Sequence, residues 1–342
     1  MSFVARTPTL STQPMLSEFR SRRFLRGGHV QTLASYLLPR RLTIPSPEKR
    51  LIEVEPGIGV LCECHWQPDR ASALTVIIVH GLEGSSESKY MLGITEKGIA
   101  AGMNVIRMNQ RTCGGTDALA PTLYHSGRSG DVVAVAAHLV ENDKIEHFAL
   151  CGFSMGGNLV IKAAGEWGAN RPAQFTAVAA VCPALDLAAS ADALHRPQNR
   201  IYEHYFLKKL KTRMRRKARC FPGLYDLSRM RGLKSLRDFD DRVTAFYCGF
   251  EGASDYYDRA AGSRVVDRVS VPAFILYAKN DPFIRFLPET RRKIQNNPHI
   301  TFIETEDGGH CSFIAERNGY DGHFAERAVV EFLRNVLLRH LA

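Results

Sequence analysis

From residue 74 onward, short and almost wholly apolar runs alternate with longer stretches in which apolar positions recur every three or four residues. Residues 74–79 (LTVIIV), 104–108, 147–150 and 175–182 are runs of the first kind, the pattern of strands buried on both faces. Residues 89–101, 130–140 and 158–167 carry helical spacing. The same rhythm returns late, with strands predicted at 272–277 and 299–304, a helix at 288–296 and a closing amphipathic helix at 323–341. Repeated strand–helix alternation of this kind predicts an α/β fold with a doubly wound, mostly parallel sheet. Ahead of it, 51–54 and 59–66 read as a hairpin joined through Pro56-Gly57. Residues 24–38 read as a short helix entered at Gly27-Gly28 and stopped by Pro39. The rhythm breaks after Pro183. Residues 186–264 hold helical fragments but no buried strand, which predicts an inserted helical cap. The core is then 51–185 and 265–342, with 1–50 as a segment laid over it and no clear strand in that segment.

Composition narrows the class. Of 342 residues 45% are hydrophobic and 23% charged, the balance of a soluble globular protein. No apolar run approaches the ~18 residues of a membrane-spanning helix, and the first residues show no hydrophobic stretch of the secretory kind, so a cytoplasmic location is expected. Eight cysteines (62, 64, 113, 151, 182, 220, 248 and 311) are scattered without a C-x-x-C pair, which predicts buried free thiols and no metal or disulfide framework.

The net charge of +10 is local: residues 207–219 (LKKLKTRMRRKAR) hold eight Lys or Arg and no acid, leaving +2 for the rest. Leu207, Leu210 and Met214 recur at helical spacing within the run. The segment reads either as an amphipathic helix that reaches anionic membranes or as a cap helix whose apolar stripe packs on the domain below. No nucleic-acid partner is expected, because no binding motif accompanies the run.

The candidate chemistry centres on Gly152-Phe153-Ser154-Met155-Gly156, between a predicted strand and a predicted helix. A serine on so sharp a turn needs small residues two before and two after it, which Gly152 and Gly156 supply; this is the nucleophile elbow. Its partners should be an acid and then a histidine after later strands. Asp281 follows the strand predicted at 272–277, and His310 sits in a Gly-Gly-His loop after the last one. Asp186, after the strand that follows the elbow, is a rival acid. Asp307 lies too near His310 in sequence to orient its ring. Oxyanion donors are expected from the Met155 N–H and, in the loop His80-Gly81-Leu82-Glu83-Gly84, from the Leu82 N–H. No Gly-Lys-Ser/Thr follows that loop and no G-x-G-x-x-G follows a strand, so nucleotide-binding readings fail. The cap aromatics Phe206, Phe221, Tyr256 and Tyr257 are candidates for an apolar acyl pocket.

These residues carry a resemblance. With Gly28-His29-Val30-Gln31-Thr32-Leu33, Asn109-Gln110-Arg111-Thr112-Cys113-Gly114-Gly115, Tyr124-His125-Ser126-Gly127-Arg128-Ser129-Gly130-Asp131 and the elbow through Asn158, the chain resembles the α/β-hydrolase superfamily, and within it the YheT-like group of esterases. The resemblance implies a Ser154–Asp281–His310 triad, hydrolysis of carboxylic esters with lipid acyl esters among the substrates, and no cofactor. Membrane-anchored relatives carry an N-terminal hydrophobic segment that this sequence does not show. An acyltransferase with the same triad, and a binding protein on the same scaffold, are the competing readings.

Overall fold

A computed structural model describes residues 18–341; the first residues, judged for a secretory signal, lie outside them. Helix α1 (Gly28–Leu37) precedes the hairpin β1 (Glu48–Glu55) and β2 (Ile58–His65). The chain then runs β3 (Thr75–Val79), α2 (Lys89–Ala100), β4 (Asn104–Met108), α3 (Ser129–Asp143), β5 (Phe148–Phe153), α4 (Met155–Trp167) and β6 (Phe175–Val181). It leaves the sheet for α5 (Leu187–Leu194), α6 (Arg200–Cys220), α7 (Leu236–Phe239), a π-helical turn at Asp240–Ala245, α8 (Phe246–Cys248) and α9 (Ala253–Ala260). It returns with β7 (Ala273–Ala278), α10 (Pro288–Asn296), β8 (Ile300–Thr305) and α11 (Phe324–Leu341). The eight strands form one sheet in the order β1-β2-β4-β3-β5-β6-β7-β8. β1, β2 and β4 pair antiparallel, and β4 through β8 pair parallel.

Every residue of β3, β5, β6 and β7 is buried, so helices cover both faces, as a parallel sheet requires. β1 begins at Glu48, inside the segment expected to hold no strand. Only Ile52 of that strand is buried, and the charged residues Glu48, Lys49 and Arg50, ahead of the predicted start at 51, carry no apolar signal. β5 extends to Phe153, beyond the predicted end at 150, because Cys151 and Gly152 pair with Ile78 and Val79 of β3.

The basic run lies in α6, and its phase decides where the charges go. Leu207, Leu210 and Met214 are buried against Leu123, Tyr225, Met230, Leu233, Phe239 and Val243. Arg213 and Lys217 share that inward side. Lys217 Nζ donates to the carbonyls of Asp117 and Ala120, and Arg216 pairs with Asp117 at 3.1 Å. The apolar stripe is therefore covered by these neighbours, and Lys208, Arg215 and Arg219 remain among the exposed cations. Among the described residues no helix is long and apolar enough to cross a membrane.

Candidate active site

The C-terminal ends of β3, β5, β6, β7 and β8 converge on one edge of the sheet, where parallel α/β folds bind ligands. Ser154 stands between β5 and α4 with φ 55° and ψ −119°, a conformation that costs a non-glycine residue on the order of 1–3 kcal/mol. The turn is pinned to the next strand: the Ser154 N–H donates to Val181 O at 2.9 Å, and Ser154 O accepts from Ala184 N–H at 3.2 Å. A Cβ on Gly152 would lie 2.2 Å from Gly156 O, and one on Gly156 would lie 2.2 Å from Val79 O. Both positions are thus closed to any larger residue.

Asp281 and His310 meet above the ends of β7 and β8. His310 Nδ1–H donates to Asp281 Oδ2 at 2.8 Å, which leaves Nε2 as the acceptor nitrogen in the neutral ring. Asp281 Oδ1 accepts from the Phe283 and Ile284 amides at 3.0 and 2.9 Å. Burial disfavours the imidazolium, but the Cys311 thiolate and the Asp281 carboxylate outweigh it and raise the pKa. Nε2 lies 3.8 Å from Cys311 Sγ. Among the described residues no hydrogen bond joins Ser154 Oγ to His310. Asp186 turns elsewhere, accepting from Leu287 N–H and Thr290 Oγ1 at 2.8 Å each. Asp307 binds Ser21, the Gly27 amide and Asn280, so it ties down the N-terminal segment and does not touch His310.

The loop after β3 lies directly on the elbow, since a Cβ on Gly81 would come within 3.1 Å of Ser154 Cβ. Neither the Leu82 nor the Met155 N–H donates to an acceptor among the described residues. His80 shapes this loop: Nδ1–H donates to Gly81 O at 2.8 Å and Nε2 accepts the Gln110 N–H at 3.2 Å. Burial lowers its pKa to about 4, so it stays neutral. Glu83, at φ 56°, takes hydrogen bonds from Tyr124 and from Arg213 of α6.

Helix α1 braces the other side. Thr32 Oγ1 accepts the His310 N–H at 2.9 Å, and Gln31 bonds both backbone groups of Ile314. The motif at 28–33 was visible in the sequence, but its contacts with the histidine loop lie nearly the whole chain away. His80 and Arg213 carried no comparable local signal.

A cavity of about 110 Å³ opens on Ser154. Its walls are mostly apolar and include Leu82, Met155, Phe206, Leu210, Tyr256 and Phe283, with Asp240 among the few polar groups. Three of the four predicted cap aromatics line it. Phe221 does not, and its ring instead lies against Lys217 Nζ at 4.2 Å.

A family model described as "Alpha/beta hydrolase family" matches residues 76–319. YheT of Escherichia coli (strain K12) is 29% identical over 305 residues, covering 87% of this chain and 87% of that protein. The phospholipase ABHD3 of Mus musculus is 28% identical over 247 residues, covering 72% of this chain and 60% of that one. Among solved structures, the Pyrococcus furiosus esterase Pf2001 superposes with a TM-score of 0.54 at 17% identity, covering 87% of this chain and 98% of its own. That last likeness concerns the fold alone.

Proposed function

The chain belongs to the alpha/beta hydrolase family, and from that premise we propose that it hydrolyses carboxylic esters through an acyl-enzyme on Ser154. The reading is carried by the Asp281–His310 contact of 2.8 Å beside a strained serine elbow. In it, Ser154 Oγ attacks the ester carbonyl while His310 Nε2 takes the hydroxyl proton. Asp281 holds Nδ1–H and so keeps the ring in the tautomer with Nε2 free. The Leu82 and Met155 amides receive the oxyanion, where fixed donors stabilise charge as it develops. His310 returns the proton to the leaving alcohol, and water then repeats the sequence and releases the acid. The Ser154–His310 hydrogen bond forms as substrate seats, because such bonds often tighten only in the complex.

The apolar cavity supports an acyl chain as the part of the substrate it holds, in a small-molecule or lipid ester. The phospholipase name of one relative agrees with that. We take residues 186–264 as the cap over a core of 51–185 and 265–342. The test is hydrolysis of p-nitrophenyl esters of increasing acyl length by the wild type and by Ser154→Ala. The reading expects turnover that falls by ~10³-fold or more in the variant. Comparable turnover by a folded Ser154→Ala protein contradicts it.

A further inference from the structure

His310 is flanked by two thiols that the ester chemistry does not use. Cys182 is the residue after β6, and Cys311 follows His310. Cys182 Sγ lies 3.7 Å from Gly309 O, and Cys311 Sγ lies 3.4 Å from Val181 O. The two reciprocal contacts stitch the end of β6 to the histidine loop. Both cysteines have left-handed backbones, with φ 44° and 58°, a conformation that non-glycine residues adopt mainly where the surroundings enforce it. Cys311 Sγ stands 3.8 Å from His310 Nε2. The two Sγ atoms and a His310 ring nitrogen all lie within 4.8 Å of one another.

We propose that Cys182, His310 and Cys311 form a site for a thiophilic divalent cation of the Zn²⁺ type, and that its occupancy blocks ester hydrolysis. Two thiolates and a neutral imidazole are the donor set such a cation selects over hard cations. Bonds of about 2.3 Å to sulfur and 2.0–2.1 Å to nitrogen put tetrahedral ligand atoms roughly 3.5–3.8 Å apart. The His310–Cys311 spacing already meets this, and the third ligand needs a contraction of about 1 Å at most. The second shell is also in place. Metal-binding histidines commonly donate their other N–H to a carboxylate, and His310 Nδ1–H donates to Asp281. Binding releases to solvent the two protons held among the thiols and the His310 ring, and the resulting complex is neutral, which suits a buried position. Cys182 is buried while His310 and Cys311 are partly exposed, so the cation enters from the histidine side and a water completes its shell.

Inhibition follows from the atom used. A metal-bound Nε2 has no lone pair with which to take the Ser154 proton; this part rests on the function proposed above.

The experiment uses Co²⁺ as a spectroscopic stand-in for Zn²⁺ on the wild type, Cys182→Ser and Cys311→Ser. The wild type should show the sulfur-to-cobalt absorption of a two-thiolate tetrahedral site, displaced by Zn²⁺. Each variant should lose it and bind Zn²⁺ at least tenfold more weakly. In the wild type alone, Zn²⁺ should shield Cys311 from a small alkylating reagent while exposed Cys220 stays reactive, a reading that does not depend on the variants folding. Zn²⁺ inhibition, referred to each protein's own metal-free rate, should shift by the same factor. Absence of the absorption, or equal Zn²⁺ affinity in all three proteins, overturns the site. Binding without inhibition of an active enzyme overturns the blocking role. A protein that hydrolyses no ester refutes the function instead, and the cobalt and alkylation readings still decide the site.

Discussion

Arg213 of α6 grips the Glu83 carboxylate through Nε and Nη2 at 2.7 and 3.1 Å, joining α6 to the residue that follows Leu82. Both side chains are buried, and Arg213 also donates to Thr112 O. Tyr124 closes the arrangement, accepting the Glu83 N–H at 3.1 Å and donating to Oε1 at 2.7 Å. The loop beside Ser154 is thus fixed from two directions.

Arg213→Met should therefore leave a buried carboxylate unpaired, at a cost of about 3–5 kcal/mol. The loosened Leu82 amide should lower kcat more than it raises KM, since its work is in the transition state. Arg213→Lys should rescue little, because an ammonium cannot present the fork that Glu83 accepts. Thermal denaturation and steady-state kinetics check this, and an Arg213→Met protein with unchanged melting and turnover refutes it.

Asp281→Asn should reduce turnover by ~10³–10⁴-fold through the wrong His310 tautomer. Asp186→Asn should act on stability instead, because among the described residues its oxygens accept only from Leu287 and Thr290. The loss there is about 1–3 kcal/mol, with kcat little changed. Parallel kinetics and denaturation of the two variants separate the roles, and a silent Asp281→Asn change would remove Asp281 from the mechanism.

Burial lifts the Asp240 carboxyl to about 6 from its usual 3.8, partly offset by the hydroxyls of Tyr257 and Thr244 and by the Arg237 charge. The folded state therefore holds this proton more tightly than the unfolded one. The associated stability is present below about pH 4 and is lost as pH rises through about 6, on the order of 2–3 kcal/mol. Asp240→Asn carries no such proton. Its stability relative to the wild type should improve by that amount between pH 4 and 7, measured by denaturant unfolding. A constant difference across that range contradicts the buried-acid account.

The exposed cations of α6 should bind anionic vesicles only through charge, since Leu207, Leu210 and Met214 are covered. Each cation near such a surface contributes about 1 kcal/mol, and the attraction is screened over ~8–10 Å near physiological salt. Co-sedimentation should appear at low salt, vanish at high salt, and be lost when Lys208, Lys209, Arg215 and Arg219 become Gln. Salt-resistant binding would mean an inserted apolar surface that this packing does not offer.

Much of the sheet was legible because β3 and β6 are almost wholly apolar runs, the usual pattern of a strand buried on both faces. Ser154 was legible because its backbone excludes Cβ atoms at Gly152 and Gly156. Asp281 and His310 were marked as candidates by their place just after strands. Contacts between remote side chains were hidden. Arg213 and Lys217 counted as surface charge in a basic run, yet helical phase turns them inward beside Met214. Cys182 and Cys311 looked like scattered thiols, and only the meeting of β6 with the histidine loop brings them to the same point. The early start of β1 at Glu48 was not legible, because its first three residues are charged and none of them is buried.

The central claim is that Ser154 is a nucleophile activated by His310. Reaction of the full chain with a fluorophosphonate, followed by peptide mass spectrometry, tests it most directly. The account predicts one phosphonylated residue, Ser154, with labelling slowed sharply in His310→Ala and absent in Ser154→Ala. Label on another residue, or equal labelling of the wild type and Ser154→Ala, would contradict it.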